Sequence, residues 1–145
     1  MKLLLAVDGS KYSKKALAFL LANRDRLLGS ERADHAALHV INVQIPIPPR
    51  ARNAVGSEIV KKYHEEESSK VLNPVCKFLD SHGIVYTSEW RAGHPAAEIV
   101  AAAKRRKSHM IVMGTHGRGA LGRVLMGSVA QNVVAESNVP VLLIK

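Results

Sequence analysis

The sequence predicts an α/β fold, an open doubly wound parallel sheet of five strands with four helices. Two observations predict it. Short apolar runs of strand length alternate along the chain with longer stretches whose apolar residues recur at helical spacing. That alternation of strand and helix signals, with little else, is the signature of a parallel sheet covered on both faces. The chain has 145 residues, 47% of them hydrophobic, a length and composition suited to one core, so residues 1–145 are expected to form a single domain.

Taken in order, Lys2 to Val7 is the first strand, nearly all apolar. Asp8-Gly9-Ser10 is a turn, and a helix follows to about Leu28, with Ala16, Leu17, Leu20, Leu21, Leu27 and Leu28 on one face and Gly29 as its stop. Ala36 to Val43 is the second strand. The next segment, Gln44 to Gly56, carries three prolines and two arginines and is expected to be a mobile loop. A long helix from about Ser57 to His82 contains Pro74, which either kinks or splits it, and Gly83 ends that unit. Ile84 to Trp90 is the third strand. Pro95 suits the first turn of a helix running to about Lys107, and His109 to Met113 is the fourth strand. A fourth helix runs from near Gly127 to Asn138, and Val139 to Ile144 is the last strand, with Pro140 at its start or on an edge. Right-handed crossovers then favour a doubly wound sheet with ligands at the carboxyl ends of the strands.

The segment between the fourth strand and the fourth helix is the richest in chemistry. Gly114, Gly117, Gly119, Gly122 and Gly127 fall within fourteen residues, accompanied by Arg118, Arg123 and the following Ser128. A helix start offers unpaired N–H groups and a partial positive charge, while glycines let the backbone approach phosphate oxygens and adopt positive φ. Two familiar glycine motifs fail on these residues. Gly117 to Gly122 spells G-x-G-x-x-G, but the fingerprint needs an acidic residue about 20 positions on, and here the next strand ends at Lys145. The Walker A pattern needs Lys and Ser/Thr after its last glycine, whereas Arg123 and Val124 follow Gly122. The alternative is that these glycines only shape a long surface loop.

Composition narrows the remaining classes. The net charge of +9, from 21 basic and 12 acidic residues, would suit a polyanion. Yet Lys104-Arg-Arg-Lys107 closes an amphipathic helix, where cations face the C-terminal dipole and stay solvated. Aromatic residues are only 4% of the chain, with no aromatic-basic surface strand, helix-turn-helix or zinc-finger spacing, so nucleic acid is not the expected partner. The longest apolar run, Ala16 to Ala22, is far too short to span a membrane, and Leu3 to Val7 is too brief for a signal peptide, so a cytoplasmic protein is expected. Cys76 is the sole cysteine and sits among apolar residues as a small buried hydrophobe. Seven histidines raise a metal site, but His35 and His39 lack a cysteine or carboxylate to complete zinc ligation. Ser10, Ser13 and Ser128 lack the glycine elbow of a hydrolase nucleophile and read as turn or helix-start residues.

Gly114, two residues, Gly117, nine residues, then Gly127-Ser128 resembles the glycine pattern of the universal stress protein family. The Val7-Asp8-Gly9-Ser10 opening and the Val139-Pro-Val-Leu-Leu-Ile144 ending resemble it too, so that the likeness covers essentially the whole chain. The resemblance implies an adenine nucleotide alpha hydrolase-like fold with strand order 3-2-1-4-5 and homodimers built partly through the last strand. In one branch of the family it implies ATP bound at the first and fourth strands; another branch lacks the motif and does not bind ATP. Carried over by position, it places Asp8 near the ribose and any Mg2+ or Mn2+ riding on the phosphates, with a helix-capping role as the alternative. Ala6 and Val7 would border the pocket, Val40 would offer backbone groups to adenine, and Met113 would lie against the base. Gly114, Gly117, Gly127, Ser128 and Val129 match the phosphate-binding part, with His116 and Arg118 inside it. The implied function is an ATP-binding regulator of a stress response whose downstream protein partner the sequence does not name. The alternatives are a slow ATP hydrolase, for which no residue set declares itself, and a nucleotide-free homodimeric scaffold or nucleic-acid binder.

Overall fold

A computed structural model describes residues 1–29, 36–119 and 125–145. Its elements are β1 (Leu3–Ala6), α1 (Lys11–Ala22), α2 (Arg24–Leu27), β2 (Leu38–Gln44), α3 (Pro49–Val55), α4 (Ser57–Ser81), β3 (Tyr86–Ala92), α5 (Pro95–Arg105), β4 (Met110–Gly114), α6 (Ser128–Glu136) and β5 (Val141–Ile144). The five strands form one parallel sheet in the order β3-β2-β1-β4-β5. The expected α/β class and strand order are thus present. Gly122 and Arg123 of the glycine-rich segment, and His35, lie outside the described residues.

The apolar residues of β1, β2, β4 and β5 divide between two layers, while Tyr86 and Trp90 of β3 pack on the first of them only. Leu3, Leu5, Leu38 and Val40 point to a core closed by Leu17 and Leu20 of α1 and Val71, Val75 and Leu79 of α4. Leu4, Ala6, Ile41, Ile111 and Met113 point the other way, onto Ile99 and Ala102 of α5 and Ala130 and Val133 of α6. Successive strand residues face opposite sides, so a strand apolar at every position can settle only between two helical layers. Burying each such Leu or Ile contributes about 2 kcal/mol.

Six helices occur among the described residues, against the four expected. The first predicted helix divides at Asn23, whose Nδ2 donates to the Phe19 carbonyl at 2.9 Å while its N–H also turns back on that carbonyl. A side chain that satisfies the preceding turn removes the incentive for the helix to continue. The other addition lies in the segment expected to be a loop. Pro49 opens α3 at a first-turn position, where its missing N–H costs nothing, and Gly56 at φ +88° ends it. Pro74 neither splits nor ends α4, which runs unbroken over 25 residues. Cys76 is half-buried, not fully buried, and its Sγ lies 3.8 Å from Ser88 Oγ. Among the described residues no helix is long and apolar enough to cross a membrane.

Outside these cores, β3 is held to β2 by a polar cluster. His39, 4% exposed, pairs Nδ1 with Thr87 Oγ1 at 2.6 Å and Nε2 with Glu89 Oε1 at 2.9 Å. Arg91 and Arg105 also donate to Glu89, at 3.0 and 3.2 Å. Burial holds the His39 imidazole below its ordinary pKa, against the opposing pull of Glu89. Burial alone would raise Glu89, but the bonds from His39 and Arg91 outweigh it and hold the carboxyl below its ordinary value.

Candidate functional site

At the carboxyl ends of β1, β2 and β4 the sheet opens into a cavity of about 780 Å3. The switch point lies between β1 and β4, since the connection from β1 runs to β2 on one side and that from β4 runs to β5 on the other, and a doubly wound sheet leaves a crevice there because the adjoining loops diverge to opposite faces. The volume falls within the roughly 300–1,000 Å3 of small-molecule sites.

One end of the cavity is built from backbone. After Gly114 the chain turns through Thr115, whose N–H donates to Ile144 and whose carbonyl receives the Gly127 N–H at 2.8 Å. That bond folds the turn onto the start of α6, so Gly117 and the Gly127-Ser128 helix entrance face one space. No side chain caps α6, and its first-turn amides open toward the cavity. The glycines here do not supply positive φ, since the described glycines that adopt it are Gly9, Gly29, Gly56 and Gly83. Close approach is their role instead. A Cβ on Gly114 would stand 2.6 Å from Tyr12 Cβ and 2.8 Å from the Tyr12 carbonyl carbon, so this glycine lets α1 pack against the end of β4. A Cβ on Gly127 would meet His116 Cα at 3.3 Å, and one on Gly117 would meet Asp8 Oδ2 at 3.0 Å.

Asp8 is held in place by its neighbours. Its Oδ1 accepts the Ser10 N–H at 2.9 Å, and Oδ2 is turned toward Gly117. Ser10 itself caps α1 by accepting the Ser13 N–H at 3.1 Å, so the capping role falls to the serine. Arg118 reaches back across Gly9, its guanidinium 2.5 Å from where a Cβ would stand, and brings positive charge to the rim. His116 is tied into the turn: Nδ1 lies 2.8 Å from Thr115 Oγ1 and the ring packs 4.8 Å from that of Tyr12.

Ala6, Val7, Asp8, Met113, Gly114, His116, Gly117, Arg118, Gly127, Ser128 and Val129 all line this cavity. Val40 does not. Its side chain is fully buried in the α1 and α4 layer. Leu3 and Val7 donate to Ala37 and Ile41, so alternate residues of β2 bond to β1, and Val40 turns its backbone to β3. The residues of β2 that do line the cavity are Ile41 to Gln44, followed by Ile45. Tyr63, Glu67 and Val71 of α4 face it from one side, Pro95 and Ile99 of α5 from the other. Sequence reasoning missed these. Tyr63, Glu67 and Val71 follow one another at intervals of four, one stripe of a helix, and Asn42 is a polar residue in an apolar strand, but neither signal points to a cavity by itself.

No group of three or more potential metal ligands occurs among the described residues. The single carboxylate of Asp8 suits Mg2+ or Mn2+ only as a supplement to phosphate oxygens and water, the manner in which Mg2+ is commonly held.

Comparison with known proteins bears on the whole chain. A model of the universal stress protein family matches residues 1–145. Universal stress protein MJ0531 of Methanocaldococcus jannaschii is 33% identical over 145 residues, covering 99% of this chain and 81% of its own. A universal stress protein of Thermus aquaticus is 34% identical over 149 residues, covering 99% of this chain and 97% of its own. Among solved structures, MJ0577 of Methanocaldococcus jannaschii superposes with a TM-score of 0.80 at 28% identity, covering 99% of this chain and 94% of that one. The universal stress protein of Archaeoglobus fulgidus solved in complex with dAMP superposes with a TM-score of 0.67 at 24% identity, covering 100% and 98%, a likeness of fold. The glycine turn, the strand order and these matches across its length converge, and the chain belongs to the universal stress protein family.

Proposed function

We propose that the chain binds ATP, with Mg2+ or Mn2+ carried on the phosphates beside Asp8, and serves as a nucleotide-dependent regulator in a cytoplasmic stress response. The observation that carries this reading is the backbone cradle. The Thr115–Gly117 turn is bonded to the entrance of an uncapped helix, and both face a cavity whose other end is lined by Ile41, Val43 and Ile99. Anionic groups suit the first end and an aromatic base the second. Micromolar affinity needs about 8 kcal/mol. Charge-assisted hydrogen bonds of roughly 1.5–3 kcal/mol each allow four or five of them, with base burial, to meet that after the cost of lost freedom. The same fold holds dAMP in the Archaeoglobus fulgidus protein, but the assignment here stands on this chain's own residues.

Binding, not turnover, is the proposed activity. His116, the turn residue considered for orienting a water, has its ring engaged by Thr115 and Tyr12, so hydrolysis is expected to be slow at most. Occupancy is read out through the glycine turn and through residues 44–56, where all seven residues of α3 are exposed. Homodimers pairing through β5, an edge strand whose four residues are only partly buried, complete the proposal. Titration calorimetry with ATP, GTP and AMP tests it: micromolar heats with ATP are expected, and none at high-micromolar concentration would reject it. Hydrogen exchange with and without ATP checks the readout, and light scattering checks the dimer.

A further inference from the structure

The β2 end of the cavity contains a chain of amide hydrogen bonds with only one possible polarity. It starts at the carbonyl of Val7, a main-chain oxygen that can only accept. Asn42 must therefore present Nδ2 to it, at 2.8 Å, which leaves Asn42 Oδ1 as an acceptor. Gln44 in turn must present Nε2 to that oxygen, at 2.7 Å. Asn42 is 2% exposed, so water cannot relieve a reversed arrangement. Turning Asn42 over would oppose two acceptors at less than 3 Å in a buried place, and turning Gln44 over would set Oε1 against Asn42 Oδ1, with the loss of a hydrogen bond added to the repulsion in each case. Gln44 thus keeps a fixed Oε1 acceptor and one remaining Nε2–H, and it lines the cavity.

β2 lies two strands from β4 in the sheet, roughly 10 Å at the usual spacing, so Gln44 stands at the end opposite the Gly127-Ser128 entrance. We propose that Gln44, oriented by Asn42 and the Val7 carbonyl, is the base-reading residue of the site and selects a 6-aminopurine over a 6-oxopurine. This rests on the nucleotide-binding reading above and adds to it the source of base choice. Adenine offers an amino donor beside a ring-nitrogen acceptor, the complement of a primary amide. A 6-oxopurine offers an oxygen where the amino group would be, facing Gln44 Oε1. An unrestrained glutamine would turn over to serve it. Gln44 cannot do so without setting Oε1 against Asn42 Oδ1.

Titration calorimetry with Mg-ATP and Mg-ITP, which differ in this respect at C6 and N1, tests the assignment on the whole chain and on Gln44→Leu and Asn42→Leu. The chain is expected to bind ATP about tenfold more tightly than ITP, the worth of roughly one hydrogen bond. Gln44→Leu is expected to bring the ratio to about one by weakening ATP, whereas Asn42→Leu, which frees Gln44 to turn over, should do so by strengthening ITP. Gln44 is half-buried, at the end of β2, and its replacement decides the matter should Asn42→Leu not fold. Equal affinities in the unaltered chain, or a tenfold preference that persists in Gln44→Leu, would overturn the inference while leaving nucleotide binding intact. Absence of binding by both nucleotides would overturn the nucleotide reading and this inference with it.

Discussion

The two ends of the cavity are made from different materials. Over β4 the wall is backbone: three glycines, a turn closed by the Gly127 N–H, and the open start of α6. Over β2 it is side chain: Asn42 and Gln44 in series, with Tyr63 and Glu67 arriving from α4, 19 or more positions further along the sequence. Backbone groups present the same N–H whatever the residue, so the β4 end is suited to any anion. Side-chain amides carry an orientation, so the proposed discrimination between ligands is assigned to the β2 end. Affinity and discrimination are thereby separable, and substitutions at the two ends should fail in different ways.

The largest effect is expected where a cradle glycine serves packing. Gly114→Val drives a side chain into Tyr12 at the join of α1 and β4 and should cost about 3 kcal/mol of stability, read as a lowered urea midpoint. If Gly114→Val left stability untouched, its place in the glycine pattern would have to be explained by ligand contact alone. Gly117→Val should divide the other way. Its nearest obstacle is the Asp8 carboxylate, which can shift, so stability should change by less than about 1 kcal/mol, while ATP affinity falls about a hundredfold for the loss of two charge-assisted bonds.

Acid should distinguish the ends without a substitution. Both His39 and Glu89 have lowered pKa values in the folded chain, so in acid the unfolded chain binds more protons and stability falls with pH. The His39 contribution is complete above its ordinary value of 6.5 and is lost as pH drops through the lower folded value. That of Glu89 is complete above 4.5 and goes in the same way at lower pH. Amide exchange compared at pH 7.5 and 5.5, corrected for intrinsic rates, should show protection falling at Thr87 to Arg91 while Ile111 to Gly114 keep theirs. Equal loss in both strands would remove the distinction. The smallest change is expected from His116→Ala, whose ring packs on Tyr12 and Thr115: ATP affinity should move by no more than about twofold in calorimetry.

Much of the β4 end was legible because its parts are near in sequence. Gly114, Gly117 and Gly127-Ser128 belong to one strand-to-helix connection, and a backbone site leaves its mark as missing side chains. What those glycines do was less legible, since Gly114 answers to Tyr12, about 100 positions away. The carry-over of Val40 to the base shows the limit on the other side. Its position in the strand was near the cavity, but ladder parity turns its backbone to β3, and parity depends on which residues of β1 and β2 are in register. Pro49 and Asn23 mark smaller limits: the same residue types stop or start helices according to whether a neighbouring group is already satisfied.

By itself the amino-acid order determined the alternation of strands and helices, the two-sided burial and the glycine turn, because each depends on periodicities and spacings within a few turns of chain. Only the tertiary structure decided that Asn42 meets Val7, that Gln44 is thereby oriented, and that Tyr63 and Glu67 reach the same space. Hydrogen-bond polarity passes through space from a main-chain oxygen to successive side chains, and no pattern along the chain records which oxygen stands at its start.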